Sequence, residues 1–346
     1  MKYIKVIFTI ITIILLIGLI TTCDMFTIQP RANTDDPNAE NAVSDRYSLA
    51  ISNVISLGSG IYGFSTISPN GQFVFIPTQD GVVQVFDTSS NSLADTIDPG
   101  FDPISVKISP DGLVGYITNT VAGYHATKFN AETFEIIGNV STGTDSSGLA
   151  FSPDGSIVYM ANHWSSYLSV ISVASNSNIT NISGINPGGS SVAVTPDGSY
   201  VYVGGRTGNI FKVNTLTNTV ELTIVYDFGG GAAEVITFNP SGDKLYAAGW
   251  ASEAIHIFDV STDTELFNRN FNSKVHCVDV SNDGTLLAAV LSDDDQLCLL
   301  SPFDLSDIVV LSIIGKPWSV QFSPDDKHLY VSTYESAKLV VVDIHR

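Results

Sequence analysis

The sequence predicts an all-β chain, a seven-bladed β-propeller of four-stranded antiparallel blades, and three features carry that expectation. One short turn recurs seven times, every 41 to 44 residues. Each copy lies between two short apolar runs, with two more such runs before the next copy. No segment sustains a helical period. Self-similarity at this spacing marks a solenoid, propeller or array, and four strands per repeat of about 42 residues is a propeller blade.

The turns read SPNG from Ser68, SPDG from Ser109 and Ser152, TPDG from Thr195, NPSG from Asn239, SNDG from Ser281 and SPDD from Ser323. Pro presets a negative φ, Asp or Asn bonds the nearby backbone, and Gly accepts a positive φ. Apolar runs ending at Ile67, Ile108, Phe151, Val194, Phe238, Val280 and Phe322 precede them, and others such as Ile157 to Met160 follow. Each turn therefore closes a β-hairpin. A third run often ends in Asp or Asn, as at Asp87, Asn214, Asp259 and Asp343, and a fourth follows, as at Thr219 to Val225. All are rich in Val, Ile, Tyr and Phe.

The SPDG turn, then Val201-Tyr202-Val203 or Leu329-Tyr330-Val331, then a Thr/Asn-rich turn such as Asn214 to Val220 resembles the YVTN family of propeller repeats. These are relatives of WD repeats and of lactonase-like propellers. The resemblance covers about residues 47 to 346 and implies the fold, with little about chemistry.

Ring closure follows from the two ends. The last repeat stops at Arg346, directly after its third strand, so its outer strand is missing there. Ser48-Leu49-Ala50 precedes the first turn much as Ser92-Leu93-Ala94 precedes the second. The strand from Tyr47 to Ile55 is therefore expected to complete blade seven, removing the open seam.

Upstream, Lys2 and Lys5 precede an apolar run from Val6 to Ile20 and then Thr21-Thr22-Cys23. A basic region, a short apolar region and a small-residue site make a secretory signal over 1–22. The run is short for a membrane span. With Cys23 next, it resembles a bacterial lipoprotein signal, which implies lipidation of Cys23; Thr22 stands where Gly, Ala or Ser is usual, and an uncleaved anchor is the alternative. Residues 23–46 carry few large apolar side chains and read as the lipidated Cys and a flexible tether. The ring, 47–346, would stand off a membrane in the cell envelope, at the periplasmic face or the outer surface.

Composition agrees with export. Removing the two signal lysines from 15 basic residues leaves 13 against 35 acidic, a net charge of 22 negative. That opposes binding to nucleic acid or anionic lipid through long-range electrostatics. About 300 residues in a closed ring form one domain, since blades lack separate cores, and the ring is expected to be monomeric. Besides Cys23 there are only Cys277 and Cys298. The register places them on the first and third strands of blade six, about 9.5 Å apart at two strand spacings, beyond disulfide reach. Both are expected to be buried thiols.

Functional residues must come from the rims. Loops entering the inner strand and loops joining the second and third strands share the face opposite the seven turns, around the channel mouth. That face collects Trp164, Trp250 and Trp318 with Arg206, Glu234, Glu253, His276 and Tyr334, beside His163, Asp293 to Asp295 and Glu335. Aromatic platforms with acidic groups suit a sugar, a peptide or a cationic ligand. The plainer alternative is that these are solvated loop residues and aromatics capping the blade ends.

Other motifs weigh less. Gly58 to Gly63 matches GxGxxG but leads into a strand, whereas a dinucleotide fold needs strand, turn and helix. Asp293 to Asp295 lacks the alternating pattern of a calcium loop. The six histidines show no pair at ligand spacing, so no metal is expected, and no cofactor. Electron-transfer support is the weakest class, since no CxxCH is present. The leading expectation is a membrane-tethered scaffold that binds an envelope protein or a glycan. The alternative is a lactonase-like hydrolase using Glu234, His276 or Glu253 with Arg206, although no family catalytic motif can be matched residue by residue.

Overall fold

The computed structural model describes residues 46–346 apart from positions 62, 120–124, 187, 227–230 and 250. The expected signal, Cys23 and nearly all of the expected tether lie outside the described residues, and so does Trp250.

Every regular element among the described residues is a β-strand, and the first, β1 (Ser48–Ser56), is the one that closes the ring. Six blades follow in chain order: β2–β5 (66–97), β6–β9 (103–141), β10–β13 (146–183), β14–β17 (189–225), β18–β21 (235–270) and β22–β25 (275–312). The seventh sheet runs β26–β27–β28–β1, with β26 at Pro317–Phe322, β27 at His328–Thr333 and β28 at Lys338–His345. Ring closure is thus as the two ends of the sequence require. In register, Ser48 faces His345 and Ser56 faces Lys338.

The closing strand also copies the outer strands in detail. Each third-to-fourth strand pair slips by one residue at the same level, for example between Val85 and Phe86, Lys212 and Val213, and Leu299 and Leu300. The pair β28–β1 slips between Ile51 and Asn53. Ser52, beside this bulge, donates to Asp343 Oδ1 at 2.7 Å, and His328 Nδ1 meets the same oxygen at 2.9 Å. A bulge bends and twists its strand, which lets an outer strand follow the curvature of the ring.

The core is divided among the blade interfaces. Seven apolar clusters occur, one between each adjacent pair of sheets, as with Phe75, Val85 and Ile117 between blades one and two. A single sheet would expose both of its apolar faces, so each blade is stable only between neighbours. Cys277 on β22 (Val275–Val280) and Cys298 on β24 (Gln296–Leu300) are free and buried. They face opposite sides of blade six, Cys277 packing towards blade seven and Cys298 towards blade five. Burial pushes their thiols up to about 11 and about 12, so both stay protonated.

The seven turns form a ring of their own. In each, the first side chain bonds the third, as when Ser68 Oγ donates to Asn70 Oδ1 at 2.7 Å and Thr195 Oγ1 to Asp197 Oδ1 at 2.6 Å. In six of them the third residue's oxygen in turn accepts a backbone N–H, as from Ser199 at 3.0 Å. In six turns the fourth-position Gly packs on the Pro of the neighbouring turn; a Cβ on Gly242 would stand 2.7 Å from Pro196 Cδ. Gly242 has φ 73°, so both the conformation and the space require glycine. The seventh contact joins the two departures from the motif: Asp326 accepts from Asn282.

Candidate functional site at the channel mouth

Two groups of the expected residues come together on the face away from the turns. The first joins blades six and seven. His276 and Trp318 occupy the same position, five residues before their turns, on neighbouring inner strands. Their rings stack with centroids 3.8 Å apart and planes at 24°. Tyr334, in the loop between β27 and β28, lies 5.4 Å from the indole at 31°. Its backbone N–H donates to Lys316 O at 2.9 Å, which ties this loop to the entry of blade seven.

His276 is buried beneath the indole, and its Nδ1 has no hydrogen-bond partner in the described structure. Burial first, then the nearby Lys274 cation, push its pKa down to about 4, against a smaller pull from Asp293. The imidazole is therefore neutral at physiological pH. Trp318 is only half-buried, so the stack offers aromatic surface to a ligand.

The second group spans blades three and four. Arg206 lies over the Trp164 ring, 3.6 Å from its centroid, a close cation–π contact. Trp164 remains 60% exposed. His163 packs edge-on to Trp164 at 5.2 Å, and its Nδ1 lies 3.4 Å from Ser190 Oγ. Burial and then Arg206 push His163 down to about 4. Asp145 completes the group: burial raises its carboxyl, opposed by the Trp164 indole hydrogen bond and by Arg206.

The remaining expected residues do not join these groups. Glu234 lines the channel beneath the mouth. Glu253, at φ 52° in the loop between β19 (Lys244–Gly249) and β20 (Ala254–Asp259), makes no side-chain hydrogen bond or ion pair among the described residues; its carbonyl accepts from Phe271 at 2.8 Å. The aspartate run has structural partners: Asp293 pairs with Lys274 at 3.4 Å, and Asp295 Oδ1 accepts from the Gly315 and Lys316 N–H groups. No group of three or more His, Cys, Asp or Glu among the described residues could hold one metal ion.

Three polar residues escaped the sequence reading. Asp145 supports the Trp164 group, while Lys107 and Asp279 line the channel. The last two both stand two residues before their turns, a register in which the sequence could have shown a cation and an anion entering one channel.

Comparison with known proteins agrees with the fold. A model described as lactonase, 7-bladed beta-propeller, matches residues 149–276, and one described as WD domain, G-beta repeat, matches 265–300. Curated protein sequences give no match. Among solved structures, hydrazine synthase of Kuenenia stuttgartiensis is 16% identical with a TM-score of 0.74, over 84% of this chain and 97% of that one. At that identity the likeness concerns the fold alone. Seven closed blades make this chain a β-propeller, and within it residues 149–276 are similar to the lactonase propellers and 265–300 to the WD repeats.

Proposed function

We propose that this chain is an envelope lipoprotein, anchored through Cys23 and held off the membrane by residues 24–46, whose propeller mouth binds a protein or glycan partner. The observation that carries the reading is the stack of His276, Trp318 and Tyr334, half open at the channel mouth. A neutral imidazole under an indole is a flat, apolar platform, the surface on which sugar C–H faces and peptide side chains pack. Arg206 on Trp164 adds a hydrogen-bond donor beside a second platform. The excess of acidic residues favours a neutral or cationic partner over nucleic acid.

Two measurements test the reading. Palmitate labelling in cells should mark the wild type and not Cys23→Ala. A panel of immobilised envelope glycans and peptides should retain the full-length chain, with retention lost in Trp318→Ala at an unchanged melting temperature. Retention unaffected by that variant would sink the mouth as the binding site.

A second reading rests on the lactonase match, whose span includes Arg206, Glu234, Glu253 and His276. Hydrolysis needs a nucleophile or activated water, a base and an oxyanion donor within about 3 Å of one centre. Turnover of a lactone panel, abolished by Glu234→Gln, would favour this reading over the scaffold.

A further inference from the structure

Beneath the mouth, the inner strands enclose a cavity of about 90 Å³ along the ring axis. Its lining is unequal around the ring. At the position two before the turn, blades two, five, six and seven present Lys107, Thr237, Asp279 and Gln321, while blades three and four carry Ala150 and Ala193 there. At this level one cation and one anion thus enter a small channel from opposite arcs, with Glu234 nearer the mouth.

The two charges are not spent on each other. Lys107 makes no ion pair or hydrogen bond among the described residues, although its ammonium is close enough to act on Asp279 through space. Asp279 Oδ2 accepts from the Phe322 N–H at 2.8 Å, and the Val280 N–H also acts on the carboxylate, so the two backbone donors hold it at the channel wall. Gln321 Nε2 donates to Val320 O at 2.6 Å, so its carbonyl oxygen is the end available as an acceptor. Burial pushes the Asp279 carboxyl up to about 6, against those N–H groups and Lys107, so it is ionised at neutral pH.

We infer that the channel is a binding site for a small zwitterion, a ligand bearing one carboxylate and one ammonium on a short carbon skeleton. Lys107 donates to the carboxylate, and Asp279 and the Gln321 carbonyl accept from the ammonium. A simple anion would satisfy Lys107 but face Asp279, and a simple cation would meet the reverse; only a ligand with both charges meets both groups. Glu234, at the cavity rim beneath the mouth, adds a second carboxylate where an ammonium would enter. The inference stands apart from the mouth reading, since it uses a different ligand class and its anchors, Lys107, Asp279 and Gln321, are not mouth residues.

Titration calorimetry of the full-length chain in detergent tests it, with free glycine and β-alanine as ligands and acetate and methylammonium as single-charge controls. The expected result is saturable heat from the zwitterions, with at least tenfold weaker binding of both controls. Lys107→Met and Asp279→Asn should each weaken zwitterion binding at least tenfold; the asparagine keeps an acceptor for the Phe322 N–H. No saturable heat from either zwitterion overturns the inference. So does acetate binding as tightly as glycine, which would make this a plain anion site. The ligand profile is read on the wild type and decides the matter even if a variant fails to fold.

Discussion

Asp326 accepts hydrogen bonds through Oδ1 from both the backbone N–H and the side-chain Nδ2 of Asn282, at 2.8 and 2.9 Å. Its Oδ2 accepts from the Asp283 N–H at 2.9 Å. The other six turn contacts are a Gly against a Pro. Proline has no N–H to give and glycine no carboxylate to receive it, so the two departures form one replacement. Asp326 holds φ 55°, a conformation glycine adopts without cost, and these hydrogen bonds offset that strain.

A double-mutant cycle should expose the coupling. Asp326→Gly and Asn282→Pro are each expected to lower stability by about 1–3 kcal/mol, the cost of leaving a buried hydrogen-bonding group without its partner. The double variant restores the pairing of the other turns and should recover at least about 1 kcal/mol of the summed loss. Additive losses in thermal or urea unfolding would show that the two positions are independent.

Deleting residues 48–56 should abolish the cooperative melting transition. β1 supplies the outer strand of blade seven, and Tyr47 and Leu49 pack on the cluster between blades six and seven. Without it the edge of β28 is left unpaired. A melting profile equal to that of the full chain would show that β1 is dispensable.

Two sets of carboxylates should respond to pH with opposite sign. Asp243, in the turn of blade five, is held down to about 2, first by Ser241 and Asn239. Its stabilising effect is complete above the unfolded value of 3.8 and is lost as pH falls towards 2. Asp111, Asp154, Asp197 and Asp325 shift the same way, so the melting temperature should drop steeply below about pH 4. Asp279 is raised to about 6, so its favourable contribution exists below 3.8 and disappears as pH rises through 6. Asp279→Asn should therefore melt higher than the wild type at pH 7, with the gap closing below about pH 4. Lys107, Glu234, Cys277 and Asp326 are the other ionisable groups near this carboxyl. No gap at pH 7 would show that burial does not strain the carboxylate.

His276 should titrate near pH 4 by NMR of its ring carbons, because burial is the largest cause of its shift. Trp318→Ala removes the indole stacked at 3.8 Å and should bring the value back towards 6.5. An unchanged titration in that variant would mean that Lys274 sets the shift.

The sequence by itself determined the seven blades, their strand order, the closing strand and the buried thiols. Turn chemistry and strand periodicity are local, and they repeat often enough to set the register of every blade. The same register brought His276 and Trp318 to one level of adjacent strands, so their stacking was within reach. Tertiary structure decided which residues meet across blades. The Asn282–Asp326 replacement spans 44 residues, and the facing of Lys107 and Asp279 spans the channel itself. Asp145 gained its role from the packing of Trp164 and Arg206, contacts between loops of separate blades. A repeat specifies each blade from its own residues, whereas a site at the axis is made of single side chains from many blades, and only closing the ring sets the distances between them.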